Sequence, residues 1–220
     1  MFRRHSLVWL TPDGWQNLRV ADAHRHIAER WRQADWPLIV RRRDADAAAD
    51  EVCLGIAVPP DAQGDKLRIA ARVRRSDIRD MHAPLALTTA IPHAGTWRTA
   101  LEHLQRDAAR NDLTLRVYGS LAMQALTGQN YLRPSSDIDL LLSPRDRHEL
   151  TQMLALVEHH RQTLPLDGEI EFPDGTAVAW KEWLTATAHG QRVLVKRFDS
   201  VALLHTDDLL ATLEVRACPA

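Results

Sequence analysis

The stretch Arg133-Pro134-Ser135-Ser136-Asp137-Ile138-Asp139-Leu140-Leu141-Leu142 constrains the fold more than any other. Its apolar run reads as a core strand, yet two acids spaced two apart stand at its head. An unpaired carboxylate buried in a core costs several kcal/mol or becomes protonated. Strand geometry resolves the conflict. Alternation puts Asp137 and Asp139 on one face, with Cα atoms roughly 7 Å apart. Ile138, Leu140 and Leu142 take the other face and supply the core. Two carboxylates at this spacing suit divalent ions held about 3.5–4 Å apart.

Upstream, Val117-Tyr118-Gly119-Ser120 places Gly119 and Ser120 where a strand turns into a helix. Glycine permits close backbone approach or a positive φ. The following helix start offers free N–H groups and a positive dipole end, which suit a phosphate. Ser120 reads equally as a plain helix cap. Downstream, Asp167, Glu169 and Glu171 alternate, so all three share a strand face, and one of them is expected to stand beside the aspartate pair. Arg133 and Ser135, just before that pair, and Lys196 are candidate phosphate contacts; each also reads as a surface side chain. Alternation groups Lys196 with Leu194 against Val193 and Val195, and leaves open which face meets the site.

The 220 residues, 45% hydrophobic and 26% charged, suit one or two soluble globular domains. Residues 1–85 read as a small strand-rich domain and 86–220 as the catalytic one. In the first, helical spacing covers Ala21–Gln33, and short strands are expected at 37–43, 52–58 and 67–73, the last two as a hairpin or part of a meander. Residues 81–94, with two prolines, read as the connection. The second domain is expected to carry a helix after Gly95 with Trp97, Leu101, Leu104 and Ala108 on its apolar face, then a strand over 113–119. A helix closed by Gly128 and the Asp-Ile-Asp strand follow. The next helix is expected to be capped by Ser143, with Pro144 at its first position. A hairpin of 166–172 with 177–181 and a strand at 192–198 complete the pattern. Strands and helices intermix without strict alternation, which makes the fold class α+β.

Charge nearly cancels, 28 basic against 29 acidic residues, which argues against bulk nucleic-acid binding. The local runs Arg41-Arg42-Arg43 and Arg74-Arg75 read as solvated faces or as an anion or acidic-partner patch. Cys53 and Cys218 match no zinc or redox spacing and suggest a reducing compartment. No apolar stretch is long enough to span a membrane, so the cytoplasm is the expected location. The histidines, including His24, His26 and the adjacent His159-His160 on a helix surface, read as structural or solvated.

Gly119-Ser120, a spacer and Asp137-Ile138-Asp139 within apolar residues resemble the signature of the nucleotidyltransferase superfamily (DNA polymerase β-like). That resemblance implies Mg²⁺ carried by the aspartate pair and a triphosphate at the Gly-Ser turn. A closer resemblance spans RRHSLVWL, PLIVRRRD, LGIAVPP, RVYGSLAMQALTGQNYLRPSSDIDLLL, LDGEIEFPDGTAVAWKEW and VLVKR. These segments look like the malonate decarboxylase holo-acyl carrier protein synthases, which are phosphoribosyl-dephospho-CoA transferases. The resemblance implies a nucleotidyltransferase-like fold. It also implies transfer of 2′-(5″-phosphoribosyl)-3′-dephospho-CoA from its triphosphate precursor to a serine of the acyl carrier protein subunit, with loss of pyrophosphate. Asp137 and Asp139 become the metal ligands, Glu169 the third carboxylate with Glu171 as alternative, and Gly119, Ser120, Arg133, Ser135 and Lys196 the donor contacts. Two other readings stay open: nucleotidyl transfer to a small molecule, RNA or protein, and a binding-only module of a decarboxylase assembly.

Overall fold

Two β-sheets organise the computed structural model, which describes residues 2–189 and 191–214. The chain folds into two units, each built around one of the sheets. One unit takes in the described residues up to Pro84 together with Leu126–Tyr131; the other holds Leu85–Ala125 and the described residues from Leu132 onward. The chain passes from the first unit to the second at Pro84–Leu85 and re-enters the first over Leu126–Tyr131.

The first unit contains β1 (Leu7–Leu10), α1 (Pro12–Gln16), β2 (Arg19–Val20), α2 (Arg25–Gln33), β3 (Leu38–Val40), β4 (Glu51–Ala57), β5 (Arg68–Arg74) and β6 (Ile78–His82). Its six strands form an antiparallel sheet in the order β2-β5-β4-β3-β1-β6. β4 and β5 make the expected hairpin, with Leu54 opposite Ala71. The early helix is shorter than its periodicity suggests: a 3₁₀ turn covers Asp22–His24 and α2 begins at Arg25. Trp31 is buried on α2, its indole N–H donating to the Pro37 carbonyl at 3.2 Å.

The second unit contains β7 (Leu85–Ala86), α3 (Leu87–Ala90), α4 (Arg98–Arg110), β8 (Arg116–Val117), α5 (Gly119–Thr127, its last two residues grouped with the first unit), β9 (Ile138–Leu142) and α6 (Arg147–His160). β10 (Leu166–Glu171), β11 (Ala177–Ala179), α7 (Trp180–His189), β12 (Arg192–Lys196), β13 (Val201–His205) and α8 (Thr206–Glu214) complete it. Its seven-stranded sheet runs β13-β12-β11-β10-β9-β8-β7, with β9 and β10 parallel and the other pairs antiparallel. A parallel pair needs a crossover, and α6 supplies it. Ile138, Leu140 and Leu142 of β9 join Ile170, Phe172, Val178, Val193 and Val195 in one core with Leu101, Leu104 and Ala108 of α4. Each large apolar side chain among them contributes on the order of 1.5–3 kcal/mol by leaving water. The fold is mixed α+β.

Several expectations change. Residues 81–94 are not a bare connection. Met81 and His82 end β6 opposite Val8 and Leu7, and β7 and α3 follow; elements this short show no period. α6 is not capped by Ser143. Asp146 caps it, accepting from the Glu149 N–H at 2.8 Å, while Glu149 accepts from the Arg145 N–H at 2.6 Å. Asp146 thus satisfies a helix-start donor that a serine three residues earlier does not reach, while Glu149 holds the residue before the cap. The strand expected at 113–119 pairs only over Arg116–Val117, although Leu113 and Leu115 are buried. The strand over 177–181 stops at Ala179, and Trp180 opens α7. His160 is buried rather than on a helix surface, its ring bonded to Asp107 at 3.0 Å.

Candidate active site

The site begins where β8 gives way to α5. The Tyr118 N–H donates to the Asp139 carbonyl at 3.1 Å, fastening the turn to β9. Gly119 follows at φ +65°, and a Cβ added there would fall on Oδ2 of Asp139. Glycine is therefore required for its left-handed backbone and for the contact itself. The start of α5 is held beside the Asp139 carboxylate, where the helix dipole favours negative charge. Ser120 is buried at 3% exposure, so its hydroxyl faces the interior rather than open solvent.

After α5, Gly128 at φ +68° stops the helix. The chain returns to the site through a tight turn: the Arg133 N–H donates to Ser136 Oγ at 3.0 Å and the Ser136 N–H to the Arg133 carbonyl at 2.9 Å. Ser136 is buried, Arg133 half-buried and Ser135 exposed. Asp137, immediately before β9, is exposed; Asp139 is half-buried. The Ile138 N–H donates to the Pro165 carbonyl at 2.8 Å and starts the parallel register.

That register puts Asp167 opposite Asp139 and Glu169 opposite Leu141. Gly168 lies between them at φ +133°, and a Cβ there would meet the Leu140 backbone. Opposed residues share a face, so Asp139, Asp167 and Glu169 form an acidic row on the face turned away from the core. Asp167 and Glu169 each meet a lysine. Lys181 Nζ lies 3.4 Å from Asp167 Oδ1, and Lys196 Nζ donates to Glu169 Oε1 at 2.7 Å. Lys196 is thus on the acidic face, which alternation alone leaves undecided. The Glu169 side chain is only 6% exposed, and Glu171 is also buried.

Among the described residues no three Asp, Glu, His or Cys side chains form a ready metal cage. The donor set nonetheless fits a hard divalent ion such as Mg²⁺. Such an ion is commonly held by one or two carboxylates, which Asp137, Asp139 and Asp167 could supply. Sequence reasoning weighs Asp167 without choosing it and passes over Lys181 and Ser136. It puts Lys181 on a strand, and the residue's true place one position into α7 is what carries it to Asp167.

The basic runs behave otherwise. Arg41 donates from two nitrogens to Asp44, and Arg72 donates to Asp44 and Asp46. The Asp44 carboxyl is held well below the usual carboxylate range, first by Arg41 and then by Arg72. A cavity of about 430 Å³ lined by Arg19, Arg25, Arg41, Arg72 and Asp44 lies within the first unit. Cys53 is buried and free, and Cys218 lies outside the described residues. No helix among the described residues is long and apolar enough to cross a membrane.

Carboxylates on adjacent strands beside a glycine-opened helix start are compatible with phosphate chemistry, and several known proteins similar to this chain are named as transferases. The profile described as "Phosphoribosyl-dephospho-CoA transferase MdcG N-terminal domain" matches residues 3–84, and its C-terminal counterpart matches 84–207. A protein of Xanthomonas campestris pv. campestris (strain 8004) named phosphoribosyl-dephospho-CoA transferase is 39% identical over 208 residues, 93% of this chain and 94% of that protein. Proteins of the same name from Bradyrhizobium diazoefficiens and Azotobacter vinelandii are 36% and 34% identical, over 91% and 87% of this chain and 89% and 87% of theirs. No solved structure matches. The chain belongs to the phosphoribosyl-dephospho-CoA transferase family.

Proposed function

We propose that this chain transfers 2′-(5″-phosphoribosyl)-3′-dephospho-CoA from its 5″-triphosphate precursor to a serine of the apo acyl carrier protein subunit of malonate decarboxylase, with loss of pyrophosphate. The observation that carries this reading is the junction of Gly119, Asp139 and Asp167, in a chain that matches the family over most of its length. The second unit is read as a nucleotidyltransferase-like fold, acting in the cytoplasm.

In this reading the serine Oγ forms a bond to the α-phosphorus of the donor as the bond from that phosphorus to pyrophosphate breaks. The serine proton passes to a carboxylate of the acidic row. Mg²⁺, when bound, supplies charge neutralisation on the phosphates and the leaving group. Asp137 and Asp139 would hold it, and a third carboxylate would come from β10, where Glu169 and Asp167 are the candidates. The in-register position of Asp167 favours it as a direct ligand. The Lys196 ion pair favours Glu169 as the group that orients a phosphate-binding lysine. Backbone N–H groups from Gly119 and Ser120 receive the triphosphate, since the buried Ser120 side chain is poorly exposed for it. Arg133 and Ser135 stand just before the aspartates to meet the outer phosphates.

The test is incubation of the purified protein with the triphosphate precursor, apo carrier subunit and Mg²⁺, followed by intact mass measurement. A mass gain on the carrier serine that is lost in Asp139→Asn is expected. No gain with the CoA-type donor, together with label transfer from an ordinary nucleoside triphosphate, would overturn the donor assignment.

A further inference from the structure

β12 and β13 expose an apolar shelf. Leu194, Val201 and Leu203 are 39, 49 and 60% exposed. Leu194 stands directly opposite Leu203, and Val201 opposite Lys196. Val193 and Val195 alternate with them and are fully buried, so the shelf is the outward face of a strand pair whose inward face is already in the core. Large apolar side chains gathered on one exposed face mark an interaction site more often than scattered ones do.

The shelf continues the candidate active site. Lys196 belongs to both, since its ammonium bonds Glu169 while its strand neighbour Leu194 and cross-strand partner Val201 form the shelf. Between them β11 presents Ala177 and Ala179 opposite Glu171 and Glu169, so no bulky side chain from that strand stands in the way. With strands about 4.8 Å apart, three strand spacings separate β10 from β13, roughly 14 Å. A helix about 10–12 Å across fits that width.

Charge selects the occupant. The outward positions of β12 and β13 are Arg192, Leu194 and Lys196 against His205, Leu203 and Val201, with Arg192 Nε 3.2 Å from the His205 ring. These positions include no acid; Arg192 and His205 make one end basic, Lys196 at the other is paired with Glu169, and the Glu182 carboxylate is engaged by the Leu194 N–H at 2.6 Å. The acids nearest in sequence, Asp199, Asp207 and Asp208, lie in the β12–β13 turn and at the start of α8. A flat sheet face suits a macromolecule, whereas small ligands favour concave pockets.

We propose that this shelf docks the acceptor protein through a helix with apolar and acidic side chains, which brings its serine to the acidic row. The inference rests on the transfer reading above and names the surface that the acceptor uses. Apo carrier subunit is titrated into wild-type protein and into Leu203→Glu, Leu194→Glu and Arg192→Glu by calorimetry, which reads binding whether or not group transfer occurs. Met81→Glu, an exposed apolar position on β6, is the control, and thermal melts check folding. At least a tenfold rise in Kd for the three shelf variants, with Met81→Glu unchanged, is expected. In the transfer assay the KM for carrier rises while kcat and the donor KM hold. Unchanged carrier Kd in the shelf variants, no carrier binding by the wild type, or a wild-type dimer that Leu203→Glu splits in sedimentation would each overturn it. Failed transfer with shelf-dependent carrier binding would instead count against the reaction.

Discussion

Gly119 lies so close to Asp139 that its missing side chain is part of the site: a Cβ at Gly119 would occupy the place of the Asp139 carboxylate oxygen. The helix start and the acidic strand are thus fixed relative to each other by an absence of atoms. Gly119→Ala also forces a side chain onto a backbone at φ +65°, at a cost of about 1–2 kcal/mol. Transfer activity is expected to fall roughly a hundredfold from displacement of Asp139, with a drop of only several degrees in Tm. A melt and an activity assay on one preparation check both.

Glu169 and Lys196 form an ion pair in the site, the carboxylate side chain 6% and the lysine side chain 35% exposed. Removing one partner strands the other, which costs about 3–5 kcal/mol for a well-buried pair. With Lys196 partly exposed, Lys196→Met is expected to destabilise the protein by less, about 1–3 kcal/mol, and Glu169→Gln added to it to restore most of the loss. A four-protein denaturation cycle measures the coupling. Activity is expected to stay low in the double variant, which separates the pair's structural from its catalytic part.

Asp44 ties Arg41 to Arg72 in the first unit. Its folded pKa is depressed, so its contribution is present above the unfolded carboxylate pKa and is lost as pH falls through the folded one. Asp44→Asn is expected to cost on the order of 1 kcal/mol at pH 7, reduced by partial solvent exposure. The difference from wild type should narrow steadily in denaturation curves taken below about pH 4.

Tyr131 donates to the Ala57 carbonyl at 2.6 Å, and burial pushes its phenol up to about 12 from 10.0. A raised pKa gives stability that is complete below the unfolded value and is lost as pH rises through the folded one. Tyr131→Phe is expected to cost about 1–3 kcal/mol at neutral pH through the unpaired carbonyl. It should also flatten the alkaline limb of stability between pH 10 and 12, as followed by phenolate absorbance.

The parts of this molecule visible in its sequence are those written in local spacing. Alternation around Asp137 and Asp139 points to a strand with a core face, and the Gly119-Ser120 step to a strand-to-helix turn with a positive φ. The register of β10 on β9 is not readable in the same way. It depends on the α6 crossover and on the Ile138–Pro165 bond, and a slip of two residues would exchange Asp167 for Glu169 opposite Asp139. Lys181 is hidden because a strand changes to a helix between Ala179 and Trp180 with no glycine or proline to mark it. β6 and β7 escape notice because their stability comes from β1 and β8, partners distant in the sequence or too short to show a period.

The return of Leu126–Tyr131 to the first unit makes the chain stitched rather than strung. A gene cut near codon 84 would give one fragment lacking Tyr131 above the Ala57 carbonyl and another carrying a tyrosine bereft of its acceptor. Separate expression of the two halves would leave that bond unmade. The seam at Pro84 is crossed a second time by that return, and Tyr131 is its stitch.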